Sequence, residues 1–125
     1  MLTDNDAMAT IAVRNMAAAG NFYEGKLHFK RSGGNDQGVA TYSSGNSTVL
    51  IYESQYAGTN KATSATWSVG NELEAVVRSL KDAGVEFEHY DLPGARRDGD
   101  IHVFGNFKAA WFKDPDGNIL HVNSG

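Results

Sequence analysis

Apolar and polar positions along this chain fall into one order that is used twice. Met8 to Val13 alternates and is rich in β-branched residues, which predicts a strand. Asn15 is placed to cap a helix in which Met16, Ala19, Tyr23 and Leu27 recur at helical spacing, with Gly20 and Gly25 weakening its end. His28 to Arg31 reads as a second strand and Ser32-Gly33-Gly34-Asn35-Asp36 as a loop. Val39–Ser43 and Thr48–Glu53 then read as a hairpin around Ser44-Gly45-Asn46.

The second half repeats that order. A strand over Thr63–Val69 precedes a helix capped by Asn71, with Glu74 in the capping-box position. Leu73, Val76, Val77, Leu80 and Ala83 form one apolar stripe, and Gly84 stands where a terminating glycine is expected. Val85–His89 reads as a strand, Tyr90–Asn106 as a long irregular connection, and Phe107–Lys113 with Ile119–Asn123 as the last hairpin. That hairpin turns at Asp114-Pro115-Asp116-Gly117, whose Asp, Pro and Gly occupy the first, second and fourth places of a type I turn.

The expected fold is α+β: two βαβββ repeats, about 8–54 and 62–123, in a single domain over residues 1–125. Each unit covers one face of its sheet with a helix and leaves the other bare, so the mixed sheet is expected to curl around a cleft. With 125 residues, 41% of them hydrophobic, the chain can build a core that both halves share.

Composition narrows the chemistry. The net charge is −4, and Lys30-Arg31 and Arg96-Arg97 are the only adjacent basic pairs, so no nucleic-acid footprint is expected. The absence of cysteine removes disulfides and thiolate chemistry. Met-Leu-Thr-Asp-Asn-Asp at the start lacks an apolar core, and no apolar run approaches the roughly 20 residues that span a bilayer. A cytoplasmic protein without membrane contact is expected, in which the sequon Asn46-Ser47-Thr48 carries no meaning. No nucleophile elbow, phosphate loop, His-Glu-x-x-His or dinucleotide fingerprint is present; Gly33-Gly34 precedes no helix.

Phe22-Tyr23-Glu24-Gly25-Lys26-Leu27, Asp82-Ala83-Gly84-Val85, Tyr90-Asp91-Leu92-Pro93-Gly94 and Ala110-Trp111-Phe112-Lys113-Asp114-Pro115-Asp116-Gly117-Asn118-Ile119-Leu120 together resemble the vicinal oxygen chelate superfamily. That superfamily includes glyoxalases, bleomycin-resistance proteins and extradiol dioxygenases. The resemblance covers nearly the whole chain. The Phe-Lys-Asp-Pro-Asp-Gly-Asn block is a structural turn and says little about activity.

The resemblance implies that an enzyme of the family would hold a divalent metal on the first and last strands of each repeat. Aligning Ala9–Val13 with Ala65–Val69, an offset of 56, pairs Met8 with Ser64, where such enzymes tend to carry His. Aligning the final strands pairs Leu50 with His121, where they tend to carry Glu, Gln or His. Leucine cannot coordinate, methionine sulfur suits copper(I), and a lone serine hydroxyl is a poor donor. Only His121 is credible, so no metal site and no cofactor are expected, a divalent metal being the alternative.

Alternation puts Thr10, Leu50, Tyr52, Ser64, Thr66 and Ser68 on the faces of those positions and Trp67 on the helix side, with the register of Trp111 open. The offset grows from 57 at the second strand (Lys30 to Phe87) to 70 at the third (Ala40 to Ala110), which adds about 13 residues. That extra length carries Arg96, Arg97 and His102 between glycines, as lids and binding loops often do. His102 could enter the cleft from above; Arg96 and Arg97 could meet a ligand carboxylate or remain solvated. His28 and His89 fall outside the paired strand positions, and His89 reads as a surface strand residue.

The expected ligand-binding set is Met8, Thr10, Leu50, Tyr52, Ser64, Thr66, Trp111, His121, Arg96 and His102, with His121 as the one candidate catalytic group. The leading expectation is metal-free binding of a small apolar or aromatic molecule, similar to the family's antibiotic-sequestering proteins, in a homodimer. The rival is a lyase, isomerase or dioxygenase using His121 as acid–base, or a displaced metal set of His121, His102 and Glu53. A module with no small ligand is the third possibility.

Overall fold

The computed structural model describes residues 1–35 and 37–125; Asp36, the last residue of the expected loop, lies outside them. The fold is α+β, with two mixed sheets and no closed barrel among the described residues. The first repeat comprises β1 (Ala9–Val13), α1 (Met16–Gly20), β2 (Lys30–Asn35), β3 (Val39–Ser44) and β4 (Ser47–Glu53), in the sheet order β1-β4-β3-β2. The second comprises β5 (Thr63–Ser68), α2 (Leu73–Asp82), β6 (Phe87–Glu88), β7 (Arg96–Asp98), β8 (Ile101–Phe104), β9 (Phe107–Lys113) and β10 (Ile119–Asn123). Its order is β5-β10-β9-β8-β7, with β6 also on β9. In both sheets the first strand runs parallel to the last. Among the described residues no helix is long and apolar enough to cross a membrane.

The first helix begins as expected: the Asn15 side chain accepts the Ala18 N–H. It then widens into a π-helical stretch over Asn21–Lys26, closed by Leu27 N–H to the Phe22 carbonyl. This wider turn buries Phe22 and Tyr23 together. His28 is not in a strand but ends this helix in the left-handed region, at φ 61. The second strand therefore starts at Lys30, and residues 32–35 continue it along β3 instead of forming a loop.

In the second repeat, Asn71 does not cap the helix. A 3-10 turn over Gly70–Glu72 leads into α2 without a side-chain cap, and Glu74 pairs with Lys108 at 2.8 Å instead of reaching back. The C-terminus follows the sequence: Val85 N–H bonds the Leu80 carbonyl and Gly84 N–H that of Lys81, with Gly84 at φ 90. Val85–His89 shrinks to the two-residue β6, and the connection taken as irregular contains the hairpin β7–β8.

β6 and β8 lie on the same edge of β9, Phe87 opposite Phe112 and His102 opposite Ala109. They are one interrupted strand, and residues 89–101 leave the edge between them. The neck of this excursion is held by side chains: Asp100 takes His89 Nε2 on one oxygen and Lys81 Nζ on the other, both at 2.7 Å. His89 is thus an exposed partner of Asp100 and not a strand residue.

Alternation decides what is buried. Ile11, Val13, Val49 and Ile51 from the first sheet join Phe112, Leu120 and Val122 from the second in one core with Phe22, Tyr23, Leu73, Val77 and Leu80. Phe22 reaches Phe112 and Phe29 reaches Trp67 across the repeats, at 6.4 and 5.8 Å between ring centroids. Trp67 is on the core side, its indole N–H donating to Ser44 Oγ.

The Asp-Pro-Asp-Gly-Asn turn also ties the halves together. The Asp114 carboxylate is buried and accepts the Tyr23 hydroxyl at 2.7 Å, while Asn118 Nδ2 donates to the Ala12 carbonyl at 2.7 Å. Burial and the adjacent carboxylate push the Tyr23 phenol well above the usual tyrosine range. Gly58 supports the same turn. Its φ is 72, and a β-carbon there would overlap the Asp116 carbonyl.

Candidate functional site

With the helices on one side, each sheet leaves its other face open. On the first sheet that face carries Thr10 beside Leu50, with Thr41 on the far side of Leu50. The next row holds Ala12, Tyr52 and Val39. On the second sheet the corresponding row is Thr66, His121 and Trp111. Leu50 and His121 thus hold matching register positions, as do Thr41 and Trp111. Trp111 belongs to the open face, a point that hairpin register alone left undecided.

His121 is the chemical centre of this face. Its ring stacks on the Trp111 indole, with centroids 4.6 Å apart and planes 12° from parallel. Its Nδ1 shares a hydrogen bond of 3.3 Å with Thr66 Oγ1, and Nε2 is buried with no partner among the described residues. Burial lowers the His121 pKa below the ordinary histidine value, so the imidazole is neutral at pH 7. A threonine hydroxyl donates or accepts equally well. Nε2 can therefore be acceptor or donor, though it is closed to solvent in this structure.

The remaining candidates divide. Ser64 precedes Thr66 on the same face and is half-buried; Tyr52 is 38% exposed and Met8 47%. Met8 stands just before β1, beside Asp6, Ala7 and Asn46–Thr48 in a depression of about 540 Å³. His102 does not hang over the cleft from a loop. It lies on β8, fully buried, with its ring edge-to-face against Trp111 at 5.0 Å. Arg96 pairs with Val103 and shares the core-side parity of that residue, so it is not brought to the site. Arg97, opposite His102, is the arginine on the site's face.

Tyr90 was not anticipated. Its N–H donates to His102 Nε2 at 2.9 Å, and its ring packs edge-on to Trp111 at 5.5 Å. The signal was available in Ile101-His102-Val103-Phe104, where a histidine alternates with apolar residues as in a half-buried strand. Glycines on both sides made the segment read as loop.

The donor set does not fit a divalent metal. Thioether, leucine, hydroxyl and one imidazole occupy the four positions at which the family resemblance implies ligands, and hard or borderline ions need more nitrogen or carboxylate than this. The displaced set fails too. His102 Nε2 already takes the Tyr90 N–H, Trp111 packs against both imidazoles, and Glu53 shares the parity of buried Ile51. Among the described residues no three His, Asp or Glu side chains converge on a point that could hold an ion.

The fold is similar to those of several solved structures. One is the glyoxalase family protein from Enterococcus faecalis (24% identity, 98% of this chain and 99% of that one, TM-score 0.74). Another is the E126Q mutant of the fosfomycin resistance protein FosX from Listeria monocytogenes, complexed with Mn(II) and 1S,2S-dihydroxypropylphosphonic acid (14%, 97% and 90%, TM-score 0.71). A third is a glyoxalase/bleomycin resistance protein/dioxygenase from Alicyclobacillus acidocaldarius (17%, 96% and 90%, TM-score 0.71). These likenesses are of fold. Comparison with curated proteins finds no match. The family model described as "Glyoxalase/Bleomycin resistance protein/Dioxygenase superfamily" matches residues 7–122, and the chain belongs to that superfamily.

Proposed function

We propose that this chain binds a small, uncharged, planar or aromatic organic molecule on its open sheet faces without a resident divalent metal. The observation that carries the reading is the Trp111–His121 stack, at register positions where the first sheet has Thr41 and Leu50. Such a surface offers aromatic area, apolar contact and neutral hydrogen-bonding groups, which suit recognition better than charge stabilisation. In this reading the Trp111–His121 stack carries the ligand, Thr66 fixes the imidazole, and Tyr52, Leu50 and Thr10 form the opposing wall.

The open faces retain exposed Met8, Thr10, Tyr52 and Thr66. A second copy of the chain would bury these and supply one wall of the cleft. Sequestration of a natural product in such a homodimer is the role this chemistry favours.

A thermal-shift screen of neutral aromatic compounds in EDTA tests the reading. Stabilisation that survives the chelator and is lost in Trp111→Ala supports it. Stabilisation that requires added manganese or zinc contradicts it.

A second reading rests on the neutral His121, which could act as a general base toward a ligand C–H or O–H. Turnover of a bound compound that disappears in His121→Gln while binding persists would favour that reading.

A further inference from the structure

The excursion over residues 89–101 borders an open pocket of about 330 Å³ that the open-face reading does not use. Its walls combine an apolar patch of Leu92, Pro93, Ala95 and Tyr90 with Asp91, Arg97 and His102. His102 is fully buried. A backbone N–H can only donate, so the Tyr90 contact makes Nε2 an acceptor and leaves the ring proton on Nδ1. Nδ1 has no acceptor among the described residues. A buried donor left unpaired costs about 1–3 kcal/mol; the atom is closed to solvent, so a ligand acceptor that recovers this cost must displace part of its cover.

The charged groups narrow the ligand class. Arg97 stands opposite His102 across the β7–β8 hairpin, so both are on one face. Neither Arg97 nor Asp91 is in an ion pair among the described residues, whereas the neighbouring Lys81, Glu88, His89, Asp100 and Lys113 all are. The wall thus offers one guanidinium, one carboxylate and one neutral N–H donor, with no net charge. A simple anion would be repelled by Asp91 and a simple cation by Arg97. A molecule carrying both charges satisfies the whole set.

The geometry points to a binding site for a small zwitterion of the α-amino-acid class with an apolar side chain, held under the 89–101 excursion. Arg97 and His102 Nδ1–H take its carboxylate, Asp91 its ammonium, and Leu92, Pro93, Ala95 and the Tyr90 ring its side chain. None of these contacts involves His121, Thr66 or the first sheet, but Tyr90 and His102 both pack on Trp111, so this site adjoins the open-face site and shares that ring as a wall.

The test is a titration of the full chain with L-phenylalanine, L-phenylalaninamide and N-acetyl-L-phenylalanine, read by backbone amide and imidazole NMR shifts. L-phenylalanine is expected to move the Tyr90, Leu92, Ala95 and Arg97 amides together with the His102 Nδ1–H proton. The amide lacks the anion and the acetyl compound the cation, so each is expected to bind at least about tenfold more weakly. Arg97→Gln and Asp91→Asn alter exposed side chains and leave folding intact; each should lower L-phenylalanine affinity by about tenfold. No shift at these amides, equal response to all three compounds, or unchanged affinity in both variants would overturn the proposal. Shifts confined to Thr66, His121 and the first sheet would overturn it while leaving the open-face reading intact.

Discussion

Replacing Tyr23 by Phe removes one oxygen from the seam between the repeats, and its cost follows from the surroundings. The phenol is fully buried, and its hydroxyl donates at 2.7 Å to Asp114, itself 4% exposed. Hydrogen bonds to charged acceptors contribute about 1.5–3 kcal/mol net. The ring contacts to Phe22, Phe29 and Tyr42 survive in Phe, so packing changes little. Asp114 also keeps Asn118 Nδ2 at 2.8 Å and the Asp116 and Asn118 N–H groups. That places the loss in the lower half of the range, about 1.5–2 kcal/mol, or a Tm drop of roughly 6–8 °C for a chain of this size. Urea unfolding of Tyr23→Phe, Asp114→Asn and the double variant gives the coupling directly. The phenol pKa is raised in the folded state, so its contribution is complete below pH 10 and is lost as pH rises above the unfolded value. Tyr23→Phe should therefore also flatten the alkaline loss of stability. A change under 0.5 kcal/mol with no coupling to Asp114 would refute the role given to this bond.

Other expectations follow from single residues. His28→Gly removes a left-handed non-glycine at an exposed helix end and should raise stability by about 1 kcal/mol in thermal unfolding. Gly58→Ala should cost more than about 1 kcal/mol, because both its positive φ and the Asp116 carbonyl oppose a β-carbon. Burial depresses the His121 pKa, so the unfolded chain binds the proton first as pH falls. Stability should decline from about pH 6.5 downward toward the folded-state pKa, and His121→Gln should flatten that limb of a pH–denaturation series.

Much of the fold could be read in the sequence because alternation and glycine placement are local signals. Ile11, Val13, Val49 and Ile51 face the core as their spacing requires, and Gly84 ends α2 by the bonds its position implies. The failures were tertiary. Asn71 lost its cap to a 3-10 turn, and residues 32–35 became strand because β3 offered an unpaired edge. The interruption between β6 and β8 is invisible to local pattern, since only pairing with β9 reveals it as one strand. Aligning the chain with itself indicated which positions correspond, but not that Trp111 would stack on His121 or that Tyr90 would lock His102. Trp111 and His121 are cross-strand neighbours in one hairpin and Tyr90 and His102 flank one excursion, so both contacts depend on strand register and edge pairing, which local pattern does not fix.

The central claim is that the family cleft persists here without the family's metal. Elemental analysis of protein equilibrated with manganese, zinc and nickel and then freed of excess ion, beside His121→Gln treated identically, tests it most directly. The account predicts far less than one ion per chain in both proteins. One ion per chain in the native protein, lost in His121→Gln, would contradict it.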